Sequence, residues 1–449
     1  MVAARTPNLV LRELVRETGC SYEALASRIN RLGAERRLQL TYGRSALAQW
    51  ISGHTPPRRV RELCAAVLSS KLGRTLTADQ IWPPAVISQA LAADPSLPGS
   101  MWLLETLARD DVDRRDILLS TGYAAAAAIV PAWRWLLQPA HGDRPAGRSA
   151  RRAGLSEVEQ MNQALRRFDR LDHASGGAQA RPALARYLSE QVIPILTAAC
   201  DPRADRDRFA AAALLTRKAA LMASDDYRPG LAQAYFAQAL PLAKASGDRA
   251  LGAHVLVSMS HQATDAGDPL TAAELAQAAG MGAGNAAPPA LQAKIAIMAA
   301  RAAARLGHPR DCLRQIDRAL DCLAPARPSP WWAANVTPGY LHGQIAYCHL
   351  DLGSPASAYP HALQALSAHR SGHVRRRAMG GLLLARIYAA DGDPGPAIQA
   401  AQTALALAGD LGSSRTLSEL RLLRRELRRY RQLPAVRDFL GQTRPSAAA

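Results

Sequence analysis

Apolar residues recur along this chain at three- and four-residue steps, the period of helices packed on one side. In residues 42–57, YGRSALAQWISGHTPP, Leu47, Trp50 and Ile51 form one narrow apolar face, while Arg44, Ser45, Ala48, Gln49 and Ser52 occupy the other. Gly53 supplies a helix stop, and Pro56-Pro57 forbids continuation. Upstream, residues 7–18 predict a short helix opening at Pro7 and closing at Gly19. Ser21 is placed to cap a second helix, SYEALASRINRLGAERRL, whose inward face is Leu25, Ile29 and Leu32. Downstream, Arg58–Leu72 turns Val60, Leu63, Cys64, Val67 and Leu68 inward. A run of short helices whose third is polar on its outer side predicts a helix-turn-helix domain over residues 1–82. A surface helix of an ordinary helical domain meets the same local pattern, so the neighbours carry the reading.

From Leu155 the pattern becomes repetitive. Gly267-Asp268-Pro269, Gly307-His308-Pro309, Gly353-Ser354-Pro355 and Gly392-Asp393-Pro394 recur at spacings of 40, 46 and 39 residues. Each sits between two amphipathic stretches: glycine ends one helix and proline opens the next. Alanines such as Ala299, Ala303, Ala319 and Ala385 allow close helix approach. The prediction is a helical-hairpin solenoid over 155–433, with four marked repeats, a fifth at 208–246, an earlier helical pair at 155–200 and a capping helix at Ser414–Leu433. Residues 83–154 are expected as a helical connector with Trp102, Leu103, Leu107, Leu118 and Trp135 as core, ending in a linker at 138–154. Residues 434–449 are expected as a tail. The fold class is therefore all-α.

Composition sharpens this. Aromatic residues make up 5% of the chain and alanine is abundant, which favours closely packed helices over sheets. Lys+Arg total 55 against 37 Asp+Glu, a net charge of +18, which fits a polyanionic partner. Residues 1–82 hold 13 basic and 6 acidic side chains, 13 − 6 = +7, the local excess that phosphate binding requires. Six cysteines without framework spacing are expected as small buried hydrophobes in a reducing cytosol. The N-terminal residues lack an apolar signal core. In Ile117–Leu137, the most membrane-like stretch, alanine is weakly apolar and Pro131 and Arg134 interrupt, so a cytoplasmic, nucleoid-associated protein is expected and no membrane partner.

Catalytic chemistry finds little support. No phosphate loop, nucleophile elbow or His-Glu-x-x-His motif occurs, so neither enzyme activity nor a cofactor is expected. His254 and His261, like His342 and His349, share helix faces without ligand-type neighbours, and no metal site is expected. Asp225-Asp226 and Asp110-Asp111-x-Asp113 fit helix caps and turns. The glycine-rich 281–285 follows no strand, which argues against a nucleotide there. Trp331 and Trp332, with Tyr340, Gln344 and Tyr347, fit either a core plug or anchors for a peptide, small-molecule or protein effector in the repeat groove. The basic runs 421–431 and Arg375–Arg377 are expected as solvated faces.

SYEALASRIN, YGRSALAQWISGHTPP and VRELCAAVLSSKLGRTLTADQI resemble the N-terminal domain of actinobacterial regulators that join a helix-turn-helix of the xenobiotic-response-element (Cro/repressor) type to tetratricopeptide-like repeats. The resemblance implies a DNA-reading third helix, with Arg44, Ser45, Ala48 and Gln49 facing bases and Arg58 and Arg59 on phosphates. Ser21, Tyr22, Tyr42, Ser52 and His54 complete the candidate DNA-binding set. Two departures stand out: the segment from Ala26 to Ser45 is longer than a tight turn, and Gly43 stands where these regulators often carry an acidic residue. Double-stranded DNA read by a homodimer is the expected partner, because one short helix reads too few base pairs. The competing expectation is a repeat scaffold for other proteins whose N-terminal domain is a degenerate docking module.

Overall fold

The computed structural model describes residues 8–36, 38–72, 76, 78–82, 96–112, 123–137, 149–201, 203–284, 287–323, 329–368, 374–408 and 414–443. The chain forms two compact units, one of residues 1–92 with 115–124, the other of 93–114 with 125–449. Expectations at Pro7, Leu118 and 138–148 fall outside the described residues.

The first unit contains α1 (Leu9–Glu17), α2 (Tyr22–Glu35), α3 (Arg44–Ile51), α4 (Arg58–Leu72) and α5 (Ala78–Ile81). Leu11, Leu25, Ile29, Leu47, Leu63 and Ile81, with Trp50 and Trp82, make its core. Asn8 caps α1 by accepting from the Leu11 amide. The same residue's amide donates to Ile51 O at 2.8 Å and its side chain to Ile81 O at 2.7 Å. One short polar residue thus ties α1 to the ends of α3 and α5, satisfying groups that helix termini leave open.

The second unit is an array of antiparallel helical hairpins. After α6 (Leu97–Val112), α7 (Ala125–Leu137), α8 (Leu155–Ser175), α9 (Gly177–Tyr187) and α10 (Ile193–Thr197) come five regular pairs. These are α11 (Asp205–Asp225) with α12 (Pro229–Ser246), α13 (Arg249–Asp265) with α14 (Pro269–Ala283), and α15 (Pro289–Arg305) with α16 (Pro309–Leu323). Then follow α17 (Pro338–Asp351) with α18 (Pro355–Ser367), and α19 (Val374–Asp391) with α20 (Pro394–Ala408). The four glycines that mark the repeats all have positive φ, between 72° and 104°. The first pair turns on Tyr227-Arg228-Pro229, and Tyr227 has φ 54°, so it holds the glycine's conformation with a side chain attached. That costs roughly 1 kcal/mol relative to glycine. Its compensation lies at the far end of the array, where Tyr227 Oη pairs with Ser418 Oγ at 2.9 Å and accepts from Arg421 Nη1 at 3.0 Å.

Each of α11, α13, α15, α17 and α19 packs on the next in this series, whereas their outer partners pack on inner helices. The array therefore curves toward its inner helices, and it curves far enough to meet itself. Arg375 on α19 pairs with Asp172 of α8 at 3.1 Å and with Asp225 of α11 at 2.5 Å. Lys218 holds the other side of Asp172 at 2.8 Å.

Several expectations require correction. The connector helices are integral to the second unit. On α6 the buried stripe runs through Leu97, Met101, Leu104 and Leu107 with Leu103, which turns Trp102 to the opposite side, 62% exposed. Trp135 on α7 is buried, as expected. Ser149–Ala153, expected as linker, is a strand paired in parallel with Ala198–Cys200. The expected tail begins with a helix, α22 (Pro434–Gln442), whose Val436 and Phe439 are buried. Asp111 is no cap: it lies in the last turn of α6, buried, paired with Arg181 and accepting from Tyr235 Oη at 2.9 Å. Asp225 likewise is a buried counter-ion to Arg375.

The basic run also departs from a solvated face. On α21 (Ser414–Leu427), Leu423 and Leu427 are buried. Arg421 lies over the Tyr227 ring, Arg424 donates to Leu440 O at 2.7 Å, and Arg429 donates to Ala389 O. These guanidiniums join helices because their planar forks can satisfy carbonyls and stack on rings together. Helix α7 has 13 residues, about 20 Å of rise against a hydrocarbon core of about 30 Å. No helix among the described residues is long and apolar enough to cross a membrane.

Candidate nucleic-acid interface

Helix α3 separates its faces as its sequence dictates. Leu47 and Trp50 are buried, and Arg44, Ser45, Ala48 and Gln49 are exposed together on the opposite side. The preceding segment is fixed by Asn30 of α2, which donates to Tyr42 O at 2.8 Å and accepts from Tyr42 N at 3.0 Å. The Tyr42 ring meets Trp50 edge-on at 5.1 Å, and Trp50 meets Trp82 at 6.2 Å. Tyr42 is therefore a half-buried positioning residue. Helix α2 runs on to Glu35, which absorbs most of the extra length the sequence showed; Gly33 then allows Leu40 to fold back against α2, where a Cβ would sit 2.6 Å from Leu40 Cδ1.

The acidic group missing at Gly43 is supplied from elsewhere. Gly43 offers no side-chain cap, and the Arg44 amide donates to Glu23 Oε2 at 3.2 Å. Glu23 is exposed in the first turn of α2, so a carboxylate stands beside the N-terminus of α3, where the helix dipole favours it. Sequence reasoning missed this residue because its partner lies 21 positions away. If this face takes DNA, Glu23→Gln is expected to raise affinity for duplexes of any sequence a few-fold, since it removes a negative charge beside α3 while keeping a hydrogen-bond acceptor. Fluorescence anisotropy with a random-sequence duplex at two salt concentrations measures this; unchanged affinity at both would separate Glu23 from the interface.

The remaining candidates divide. Ser21 is exposed and caps α2 through the Ala24 amide at 3.2 Å; Tyr22 is half-buried. Ser52 donates its hydroxyl to Gln49 O at 2.9 Å, so that donor closes the end of α3. His54 and Arg59 are exposed, and the Arg58 side chain lies outside the described residues. Burial pushes the Cys64 thiol up to about 12, which keeps it protonated within the core.

In the second unit, Tyr340, Gln344 and Tyr347 share one face of α17. Gln344 Oε1 accepts from Arg301 Nη1 at 3.0 Å, and the Arg301 guanidinium lies 4.4 Å from the Tyr347 ring centre. The short 3-10 turn at Trp331–Ala333 sets Trp332 against His254 with ring centres 4.8 Å apart, and Trp331 under Arg166 of α8 at 5.4 Å. Trp332 is half-buried and Trp331 is exposed. His342 and His361 face each other through Nδ1 atoms 2.9 Å apart, with His349 stacked on His361.

Residues 11–81 match the family model described as SP15 N-terminal domain. That span runs from within α1 to the end of α5, the helical core of the first unit. No curated protein matches the chain.

Proposed function

We propose that this protein is a sequence-specific DNA-binding transcriptional regulator, with α2 and α3 acting as a helix-turn-helix and the repeat array serving dimerisation, effector sensing, or both. The observation that supports this reading is the exposed face of α3, where Arg44, Ser45, Ala48 and Gln49 stand over a buried Leu47–Trp50 face in a region carrying +7 of charge by the count given above. Arg44 can pair bidentately with guanine and Gln49 with adenine, while Ser45 and Ala48 let the backbone come close. Arg59 and the neighbouring Arg58 are suited to phosphates, which fix register without carrying sequence information. A homodimer doubles the number of base pairs read and calls for a two-fold operator.

Genome-wide binding by the full-length protein, with gel shifts on the recovered sites, tests the reading. Discrete sites sharing a two-fold motif are expected. Arg44→Ala with Gln49→Ala is expected to reduce affinity for them by at least about tenfold and to leave random-sequence binding nearly unchanged. Uniform weakening across all sequences, or no discrete sites, would move the function to a protein-binding scaffold.

A further inference from the structure

Small residues draw α17 and α18 together. A Cβ on Gly339 would lie 2.5 Å from Ala368 Cβ, one on Gly343 would lie 3.7 Å from Ala365 Cβ, and Ala346, Ala358 and Ala362 are buried. Three half-buried histidines stand on the same hairpin: His342 and His349, two helical turns apart on α17, and His361 beside both of them on α18. His342 Nδ1 and His361 Nδ1 are 2.9 Å apart. Their ring centres are 5.1 Å apart and the ring planes differ by 23°. That separation is close to the nitrogen contact plus the radii of both rings, so the rings meet edge to edge in nearly one plane, each nitrogen aimed at the other. His349 lies parallel to His361 within 11°, with ring centres 5.7 Å apart.

A head-on contact of this kind admits only some protonation states. A neutral imidazole has one N–H and one bare nitrogen, whereas an imidazolium has two N–H groups. With both rings neutral, one Nδ1 donates to the other. One added proton goes to the far nitrogen of the donor ring and leaves that hydrogen bond in place. A second sets N–H against N–H between two cations, and the contact must open. His349, once charged, adds a third positive group. Among the described residues no carboxylate pairs with any of the three. Asp351, at the end of α17, is taken by Arg301 and Arg305 of α15 at 3.7 and 3.1 Å. On α16, Asp311 pairs with Arg314 at 2.6 Å. On α19, Arg375 is held by Asp172 and Asp225 and Arg386 by Glu419 and Glu426, while half-buried Arg376 and Arg377 bring only positive charge. Tyr359 of α18 accepts from Tyr388 of α19 at 3.4 Å. Burial holds all three histidines below the ordinary 6.5, and the charges of His342 and His349 lower His361 further.

We propose that His342, His361 and His349 form an acid-operated catch on the α17–α18 hairpin: with at most one added proton the rings bind the two helices together, and further protonation drives them apart. The rings titrate as one set. Histidines that protonate below their unfolded value of 6.5 lend stability that is present above that pH and withdrawn as pH falls below it. Helix α18 packs on α19, which carries Arg375, so release of the catch reaches the contact that closes the array. The catch lies wholly in the second unit and stands whether or not the first unit binds DNA.

Hydrogen exchange of the full-length protein, read by mass spectrometry at about pH 7.5 and about pH 5.5 and corrected for the intrinsic pH dependence of amide exchange, tests the catch. Peptides from α17 and α18 are expected to lose about tenfold or more of their protection at the lower pH, the equivalent of one unit of displaced titration, while those of α12 keep theirs. His361→Gln retains a hydrogen-bonding side chain that cannot be charged. In that variant the pH-dependent loss should shrink to about twofold or less, with protection at neutral pH close to that of the wild type. His342→Gln should behave alike, whereas His349→Gln, which leaves the head-on pair intact, should keep most of the loss. His254, also held well below the ordinary range, is present in every one of these proteins and cancels from the comparison. Equal loss in the wild type and in both variants of the pair, or loss spread evenly over α12 as well, would overturn the catch. Should His361→Gln fail to fold, melting temperatures of His342→Gln and wild type across the same pH range decide: a flatter dependence in the variant supports the catch, and equal slopes end it.

Discussion

Arg375→Met is expected to open the repeat array and to lower its stability by about 3–5 kcal/mol, the usual cost of removing one partner from a buried ion pair. The guanidinium bridges two carboxylates, Asp172 and Asp225, that are 7% and 6% exposed at the side chain. Lys218 remains on Asp172, so the loss falls most heavily on Asp225 and on the α8–α19 contact. Thermal melting should fall by roughly 5 °C or more for a unit of this size. The acid limb provides a second reading. Burial alone would raise the Asp172 pKa, but Lys218 and Arg375 outweigh it and hold the carboxyl at about 2, against 3.8 ordinarily. A folded-state pKa below the unfolded one gives stability that is complete above pH 4 and lost as pH falls toward 2. That contribution is about 2 kcal/mol by the same linkage. In the variant the loss should begin at the same pH, be complete at a higher one and be smaller. A melting temperature unchanged at pH 7 would show that Arg375 does not close the array.

Gly252→Ala is expected to dislodge α7 from the array. A Cβ on Gly252 would lie 2.2 Å from the Trp135 ring, and one on Gly282 would also lie 2.2 Å from it. Trp135 thus occupies a slot between α13 and α14 that exists because both helices carry glycine there. Arg249 closes the slot, stacking on the indole at 5.4 Å and donating to Gly282 O at 2.8 Å. A buried indole has no room to shift by an ångström without leaving the slot, so the methyl should cost about as much as losing the tryptophan, roughly 3–5 kcal/mol. The diagnostic is non-additivity: Trp135→Ala with Gly252→Ala should be no less stable than Trp135→Ala alone, since the clash vanishes with the ring. Additive losses in chemical denaturation would mean that Gly252 matters for some reason other than Trp135.

Local signals made the hairpins legible. Glycine ending one helix and proline opening the next is a rule of helix termini, and it recurs four times at nearly regular spacing. The first regular hairpin escapes that rule because Tyr227 took the glycine's place to reach α21, a contact 191 residues distant. The face of α3 was legible because three large apolar positions and four polar ones lie within nine residues. Glu23, Trp135 with its two glycines, and the clasp at Arg375 were not, because each depends on a partner brought close by the chain's path. An arginine run shows charge but not geometry: Arg421 and Arg424 carry the composition of a solvated face and spend it on Tyr227 and Leu440.

Closure at Arg375 and Tyr227 also bears on how such a protein can change in evolution. An open solenoid is a one-dimensional chain of nearest neighbours, which can gain or lose a unit at either end and fray from its tips. An array whose first and last inner helices touch is cyclic, and each hairpin has a neighbour on both sides. Its copy number is then set by the angle each hairpin contributes: one hairpin more or fewer leaves Asp172 and Arg375 unable to meet. Insertions are confined to the turns, and the tips that would peel in a linear array protect each other.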